Sequence, residues 1–363
     1  MLRASAIAAL AVVSSAKPMG DLIKTLPGWD APLPSHHFSG YLNASATKHL
    51  HYYFVECEDP DVDAPTVLWF NGGPGCSSLD GLVYEHGPFR INGTDNSLYR
   101  FDFTWAKVAN MLYIEAPVGV GFSYSDTPED YGKCNDDNTA LDNLAAVEFF
   151  FKQFPEHAKK PFYITGESYA GVYVPTLAEA VLNAVKAGTY TGAPLTGIAV
   201  GNGCSGTEIG VCGGQGQQFR TEFLLEHAFM PRSLKNDIRA ECDWTKKGPQ
   251  SLKCSASLAK MGETIGHIDL YNVYGPCISG SGHPDDQAST ALTQAQTLAQ
   301  HIRSRDARTP DVGLGGPDAC IDSITASDYF NQPEVQAALH VVKPTQRWAV
   351  CGSEPGWNYQ SVR

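Results

Sequence analysis

Positive charge is scarce in this sequence. Its 363 residues carry 26 Lys and Arg against 39 Asp and Glu, a formal net charge of -13. With no basic stripe to neutralise phosphates, a nucleic-acid partner is excluded. No segment holds about eighteen consecutive apolar residues, so no membrane-spanning helix is expected. None of the ten cysteines has the C-x-x-C spacing of a zinc site. There is no internal repeat, and no metal or organic cofactor is implied.

At 43% hydrophobic residues the chain can bury a large core, as one big domain or as a domain with an insertion. Arg3, the apolar run Ala4 to Val13 and the small residues Ser14-Ser15-Ala16 read as a secretory signal, residues 1–16, cut near Ala16. The alternative is an N-terminal helix of the folded domain. Without the signal the chain is expected to be free of the membrane, on the secretory route to a vacuole, a lysosome or the outside. An even number of cysteines suits an oxidising compartment. Asn43-Ala44-Ser45 and Asn92-Gly93-Thr94 are glycosylation sequons.

Lys17 to Pro34 is polar and proline-rich, and an extended arm is expected there. Phe38 to Leu42 and His49 to Glu56 predict a β-hairpin or meander. Pro65 to Phe70 reads as a buried strand running into Asn71-Gly72-Gly73-Pro74-Gly75. Asn110 to Ile114 is a further strand. Asn138 to Phe154 has helical spacing and stops at Pro155. Phe162 to Thr165 is a strand, Val172 to Lys186 a helix and Leu195 to Val200 another strand. This alternation implies βαβ units and a mainly parallel sheet, in a core domain of residues 17–203. From Cys204 to about Cys320 the texture turns to Gly, Ser, Gln and Cys, with helical pieces such as Thr221 to His227 and Ala288 to Arg303. An inserted helical cap over residues 204–320 is expected. Residues 321–363 then return to the core, with a helix over Asp328 to His340.

Between the Phe162 strand and its helix lies Gly166-Glu167-Ser168-Tyr169-Ala170-Gly171. Strand, small-residue turn with a central Ser, then helix is the context of a nucleophile elbow. Ala170 replaces the last Gly of the strict string, a small side chain that still lets helix and strand approach. An ordinary Gly-Ser turn is the plain alternative. If the elbow is real, Ser168 is the nucleophile and the Tyr169 N–H is one oxyanion donor. A second donor is expected from the Asn71 to Gly75 loop, and Gly73 is its best candidate.

Longer strings around these turns are recognisable. Trp69 to Ser78, Glu85 to Phe89, Gly119 to Ser125 and Gly166 to Gly171 resemble, in collinear order, the serine carboxypeptidases of the α/β-hydrolase fold. The resemblance runs from about Leu42 to Gln360. It implies an α/β-hydrolase fold with a helical cap, and removal of single residues from peptide or protein C-termini in acidic compartments. It also implies that Asn71, Gly72, Glu85 and Glu167 bind the terminal carboxylate. Carboxyl groups can do so if they share protons, since like charges at close range raise one another's pKa. Without the resemblance, Glu85 reads as a solvated surface acid.

By the same resemblance Cys76 pairs with Cys351, Cys242 with Cys254 and Cys277 with Cys320. Cys204 with Cys212 is a guess from spacing, which leaves Cys57 and Cys134.

The triad Asp and His of such proteins follow the position of Cys351, at an N-G-D-type turn and in a G-x-G-H-x-x-P-type loop. No N-G-D string occurs, and the chain reaches Arg363 before either. The expectation is that these residues alone lack a working base, as a fragment would, unless a second chain supplies it. Gly280-Ser281-Gly282-His283-Pro284 imitates the His loop but falls inside the cap. His340 reads as a core or helix-end residue, His157 and His301 as surface residues, and Asp80 and His86 come too early to match the family's order. Two other functions share these motifs: an acyltransferase moving an acyl group from a glucose ester, and a non-catalytic binding protein on a dead hydrolase.

Overall fold

The computed structural model describes residues 17–205, 212, 215–245, 250–266, 268, 273–274, 324–342, 347–352 and 357–362. The expected signal at 1–16, Cys277, Cys320, the Gly280 to Pro284 loop and the Ala288 to Arg303 helix lie outside them.

Twelve strands are described: β1 (Leu22–Ile23), β2 (His37–Asn43), β3 (Lys48–Val55), β4 (Thr66–Phe70), β5 (Phe89–Ile91), β6 (Leu98–Arg100), β7 (Asn110–Ile114), β8 (Tyr124–Ser125), β9 (Cys134–Asn135), β10 (Phe162–Glu167), β11 (Leu195–Gly201) and β12 (Tyr359–Gln360). The central sheet runs β1-β2-β3-β7-β4-β10-β11, with β8 beside β3. Pairing is antiparallel from β1 to β7 and parallel from β7 through β4 and β10 to β11. The sheet is thus mixed α/β, with a parallel half that carries the two glycine-rich turns.

Alternation along the strands explains why both faces are covered. Tyr52, Phe54, Leu68, Phe70, Leu112 and Ile114 enter one core. There they meet the apolar stripes of α1 (Asp136–Gln153) and α2 (Ala170–Ala187). The intervening Tyr53, Val55, Trp69, Met111 and Tyr113 enter the other core, with Leu82, Phe89, Phe330, Leu339 and Trp348. α1 starts at the Asn135 cap, whose side chain accepts from Asn138 N, and ends before Pro155. α2 ends at Gly188 in the left-handed region.

Three helices in the 204–320 stretch, α3 (Gly216–Glu226), α4 (Arg232–Glu241) and α5 (Leu252–Ile265), share a small core of Leu225, Leu234, Ile238, Cys254 and Leu258. Disulfides join Cys242 to Cys254 and Cys204 to Cys212, and Cys57 and Cys134 are free thiols. None of the described helices is long and apolar enough to cross a membrane.

Two expectations need correction. The arm from Lys17 is not simply extended: it makes a 3-10 turn at Met19–Asp21, then β1 pairs with β2. The single helix expected over Asp328 to His340 is two, α6 (Ile324–Phe330) and α7 (Pro333–Ala338). Pro333 lacks an N–H and forces Gln332 to an extended ψ of 132°, so the first helix cannot continue into the second.

Candidate active site

The site begins with strand order. β10 lies next to β4, with Gly166 opposite Phe70 at their C-terminal ends. After β4 the chain adds β7 on one side and then β10 on the other, so a crevice opens at this switch point. The turn after β4 and the turn after β10 therefore face each other. A Cβ on Gly166 would come within 2.5 Å of Phe70 O and of Ala170 Cβ. One on Gly72 would fall onto Tyr169 N and lie 2.8 Å from Ser168 Cβ. Only glycine lets the two turns close this far.

Ser168 adopts φ +59°, rare for a residue with a side chain, at the tip of the turn before α2. Its N–H donates to Gly201 O (3.1 Å), and its carbonyl accepts from Gly171 N (2.9 Å) and Cys204 N (2.8 Å). The side chain is half-buried, open to a ligand. Tyr169 is buried, its hydroxyl donating to Asp136 Oδ1 at 2.7 Å. Asp136 also receives the Tyr359 hydroxyl at 2.8 Å. Sequence reading missed this support for Tyr169, because Asp136 looks like one more acid in the first turn of α1.

The turn after β4 carries Gly73 at φ +110° and is tied down by the Cys76–Cys351 disulfide. Ser77 N also donates to Val350 O at 2.7 Å. The Ser77 hydroxyl bonds the fully buried Glu115, which accepts from Trp348 Nε1 (2.8 Å) and Phe122 N (2.9 Å) and pairs with His51 (2.9 Å).

Asn71 is buried beside Gly72. Its amide oxygen accepts from Trp69 Nε1 (2.8 Å) and Gly81 N (3.0 Å), so its nitrogen faces the opposite way. There it donates to Glu85 Oε1 (2.7 Å), Asp80 Oδ2 (3.2 Å) and Glu167 Oε1 (3.4 Å). Gly72 N also donates to Glu167 Oε1 at 3.4 Å. Burial raises all three carboxyl groups. Glu85 is pushed up to about 7, opposed by its Asn71 bond and helped by Glu167. Asp80 is pushed up to about 8, by burial and then by Glu85 and Glu167. Glu167 is raised by burial against the Gly72 and Asn71 donors. The arrangement is an acid cluster with raised pKa values around one amide, next to a strained serine.

Every described histidine is engaged away from Ser168. His36 and His157 face Glu56, His37 bonds Tyr53, His49 bonds Asn43 and Asp126, and His51 pairs with Glu115. His86 bonds Tyr113 and stacks on Trp105, with burial then Arg90 lowering its pKa to about 3. His227 bonds Phe223 O, and His340, just past α7, bonds Ser39 O. His157 is buried, against the surface position expected for it, because its ring packs edge-on against Phe54. Glu56, Glu156 and His157 bring ligand atoms within 4.8 Å of one another, but the Lys17 ammonium pairs with both carboxylates there.

The sequence profile described as serine carboxypeptidase matches residues 27–363. The lysosomal protective protein of Mus musculus is 36% identical over 355 residues, covering 93% of this chain and 71% of its own length. Serine carboxypeptidase-like 20 of Arabidopsis thaliana is 32% identical over 373 residues, covering 94% and 74%. The crystal structure of Kex1(delta)p, a prohormone-processing carboxypeptidase from Saccharomyces cerevisiae, superposes with a TM-score of 0.62 at 22% identity, over 93% of this chain and 71% of that one. The overlap with that structure assigns the α/β-hydrolase fold.

Proposed function

We propose a reaction for this chain, which belongs to the serine carboxypeptidase family: release of single residues from peptide C-termini through an acyl-enzyme on Ser168. Ser168 Oγ attacks the last peptide carbonyl and the N–H groups of Tyr169 and Gly73 take the oxyanion. The bond to the terminal residue then breaks, its amine leaves with a proton, and water hydrolyses the ester. Asn71, Gly72, Glu85 and Glu167 hold the departing residue's carboxylate. The base that Ser168 requires is taken from outside the described residues, since each described histidine is bonded elsewhere.

One observation carries this reading: an amide and an acid cluster with raised pKa values beside a serine in the left-handed region. Such a cluster suits an anionic peptide end at acid pH and has no use for an internal peptide bond. The disulfides and the similarity to a protein named lysosomal are consistent with a secretory or lysosomal route. Asn43, which is exposed, and Asn92 are its proposed glycosylation sites.

Mass spectrometry of a peptide incubated with the protein tests the reaction. A ladder shortened one residue at a time from the C-terminus, absent in Ser168→Ala, is expected. Internal cuts, or equal cleavage of a C-terminally amidated peptide, would overturn it. Fluorophosphonate labelling at Ser168 tells separately whether a base reaches the hydroxyl.

A further inference from the structure

We infer that His51 is a positioning residue: with a proton on each ring nitrogen it locks the buried Glu115 beneath the turn after β4, and loss of the second proton loosens that turn. This latch lies inside the sheet, apart from the groups that would touch a peptide, and does not depend on the reading above.

Strand pairing brings the two residues together. β3 and β7 run antiparallel with Tyr52 opposite Ile114, and Glu115 N donates to His51 O at 3.0 Å, so His51 and Glu115 stand opposite each other one step on. Both side chains are fully buried, with His51 Nδ1 2.9 Å from Glu115 Oε2. A Cβ on Gly121 would lie 1.7 Å from Glu115 Oε1, so glycine there leaves room for the carboxyl. Glu115 Oε1 accepts from the Ser77 hydroxyl and from Trp348 Nε1 (2.8 Å), and Oε2 accepts from Phe122 N (2.9 Å). Three donors aimed at one carboxyl favour its anion. The Ser77 oxygen in turn accepts from Leu79 N at 3.1 Å. The carboxylate thus holds the turn after β4, the Trp348 segment beside Cys351 and the turn before β8 in one place.

Proton counting then assigns the imidazole. Ser39 has one hydroxyl proton and two acceptors to serve, Leu339 O at 2.9 Å and His51 Nε2 at 2.9 Å. Given to Nε2, it deserts the carbonyl of Leu339, a buried residue just past α7. Given to Leu339 O, it leaves two oxygens facing Nε2, that of Ser39 and, at 3.4 Å, that of Leu339. Both are then satisfied if Nε2 carries a proton. Nδ1 does not aim its bond squarely at Oε2, but a bare lone pair 2.9 Å from a carboxylate oxygen would repel it, so Nδ1 carries a proton too. The result is an imidazolium paired with a carboxylate out of water. Removing one proton leaves a buried anion without its cation and forces Ser39 to choose between its partners.

Among the described residues, three other titratable groups face the pair. Burial raises the Asp21 carboxyl, against Tyr52, His340 and His51. Tyr41 stands edge-on to the His51 ring, its hydroxyl raised by burial and further by Glu115, against a bond with the Val342 backbone. His340 bonds Ser39 O at 2.8 Å. None of them pairs with Glu115, whose ion pair is with His51.

The test is proton–nitrogen NMR of the protein with isotope-labelled histidine, from about pH 4 to 9. The His51 ring is identified by its contacts with the Phe122 and Tyr41 rings. At about pH 5 both of its nitrogens should resonate as protonated. When the second proton leaves, the Trp348 indole N–H should shift with the same midpoint. Hydrogen-exchange protection of the Ser77 and Leu79 amides should fall by about tenfold over that step. Glu115→Gln, uncharged and of the same size, should leave His51 with one proton at a pH where the parent holds two. The parent titration decides the matter even if that variant does not fold. A single proton on His51 at about pH 5, both protons kept to about pH 9, or proton loss with no change at Trp348 and Ser77 would each overturn the latch.

Discussion

The turn after β10 is held by main-chain bonds, whereas the turn after β4 is also held by side chains and a disulfide from far along the chain. Ser168 is fixed through main-chain bonds to Gly201, Gly171 and Cys204. The Asn71 to Gly75 loop depends on Cys351, on Val350 and on Glu115, which Trp348 and His51 reach in turn. The first turn is a main-chain solution to placing a strained serine. The second is a recognition surface, and its carboxyl groups sit where they do because distant elements are brought to one crevice.

The largest effects should come from separating the two turns. Gly166→Ala puts a methyl against Phe70 O and Ala170, neither of which can retreat without moving a central strand or α2. A loss of about 3 kcal/mol or more in denaturant stability is expected, with the site lost as well. Gly72→Ala acts where the turns touch. It should abolish acid-peptide binding, a drop of about 100-fold or more, while costing less stability than Gly166→Ala. Normal peptide binding by Gly72→Ala would show that the turns do not form one site.

A smaller effect should divide the turns. The Cys76–Cys351 bridge spans a sequence separation of 275, and Cys351→Ser is expected to cost about 2–5 kcal/mol in unfolding titrations. Acid-peptide affinity should fall about tenfold with it, because the bridge anchors only the turn after β4. Cys254→Ser opens a bridge of separation 12 that joins the end of α4 to α5. Acid-peptide affinity should change there by less than about twofold. Equal losses for the two variants would erase the distinction between the turns.

Much of the scaffold was legible in the sequence. The continuous apolar runs Tyr52 to Val55 and Met111 to Ile114 are what a sheet covered on both faces requires, and those stretches are strands. Helix ends at Pro155 and Gly188 follow from local backbone chemistry. Side chains that act across the fold were harder to read. Asp80 was set aside as too early in the chain to match the family's order, and its place with Glu85 at the Asn71 amide is shown only by the fold. Asp136 reads as a helix-start acid, and its contact with Tyr169 spans 33 residues. Glu85 had meaning only through the family resemblance. Its Asn71 hydrogen bond and the neighbouring Glu167 charge come from distant parts of the chain, which no local pattern displays.

The most direct measurement compares the affinities of a free-acid peptide and its amide for Ser168→Ala protein as pH rises. Around pH 5 Glu85 and Asp80, pushed up to about 7 and about 8, hold their protons, and the acid form should bind about 10- to 100-fold more tightly. As pH rises through about 7, Glu85 ionises while the peptide carboxylate stays charged, so the preference should fall toward unity by about pH 9. A preference for the amide at pH 5, or an acid preference that stays flat to pH 9, would contradict the account.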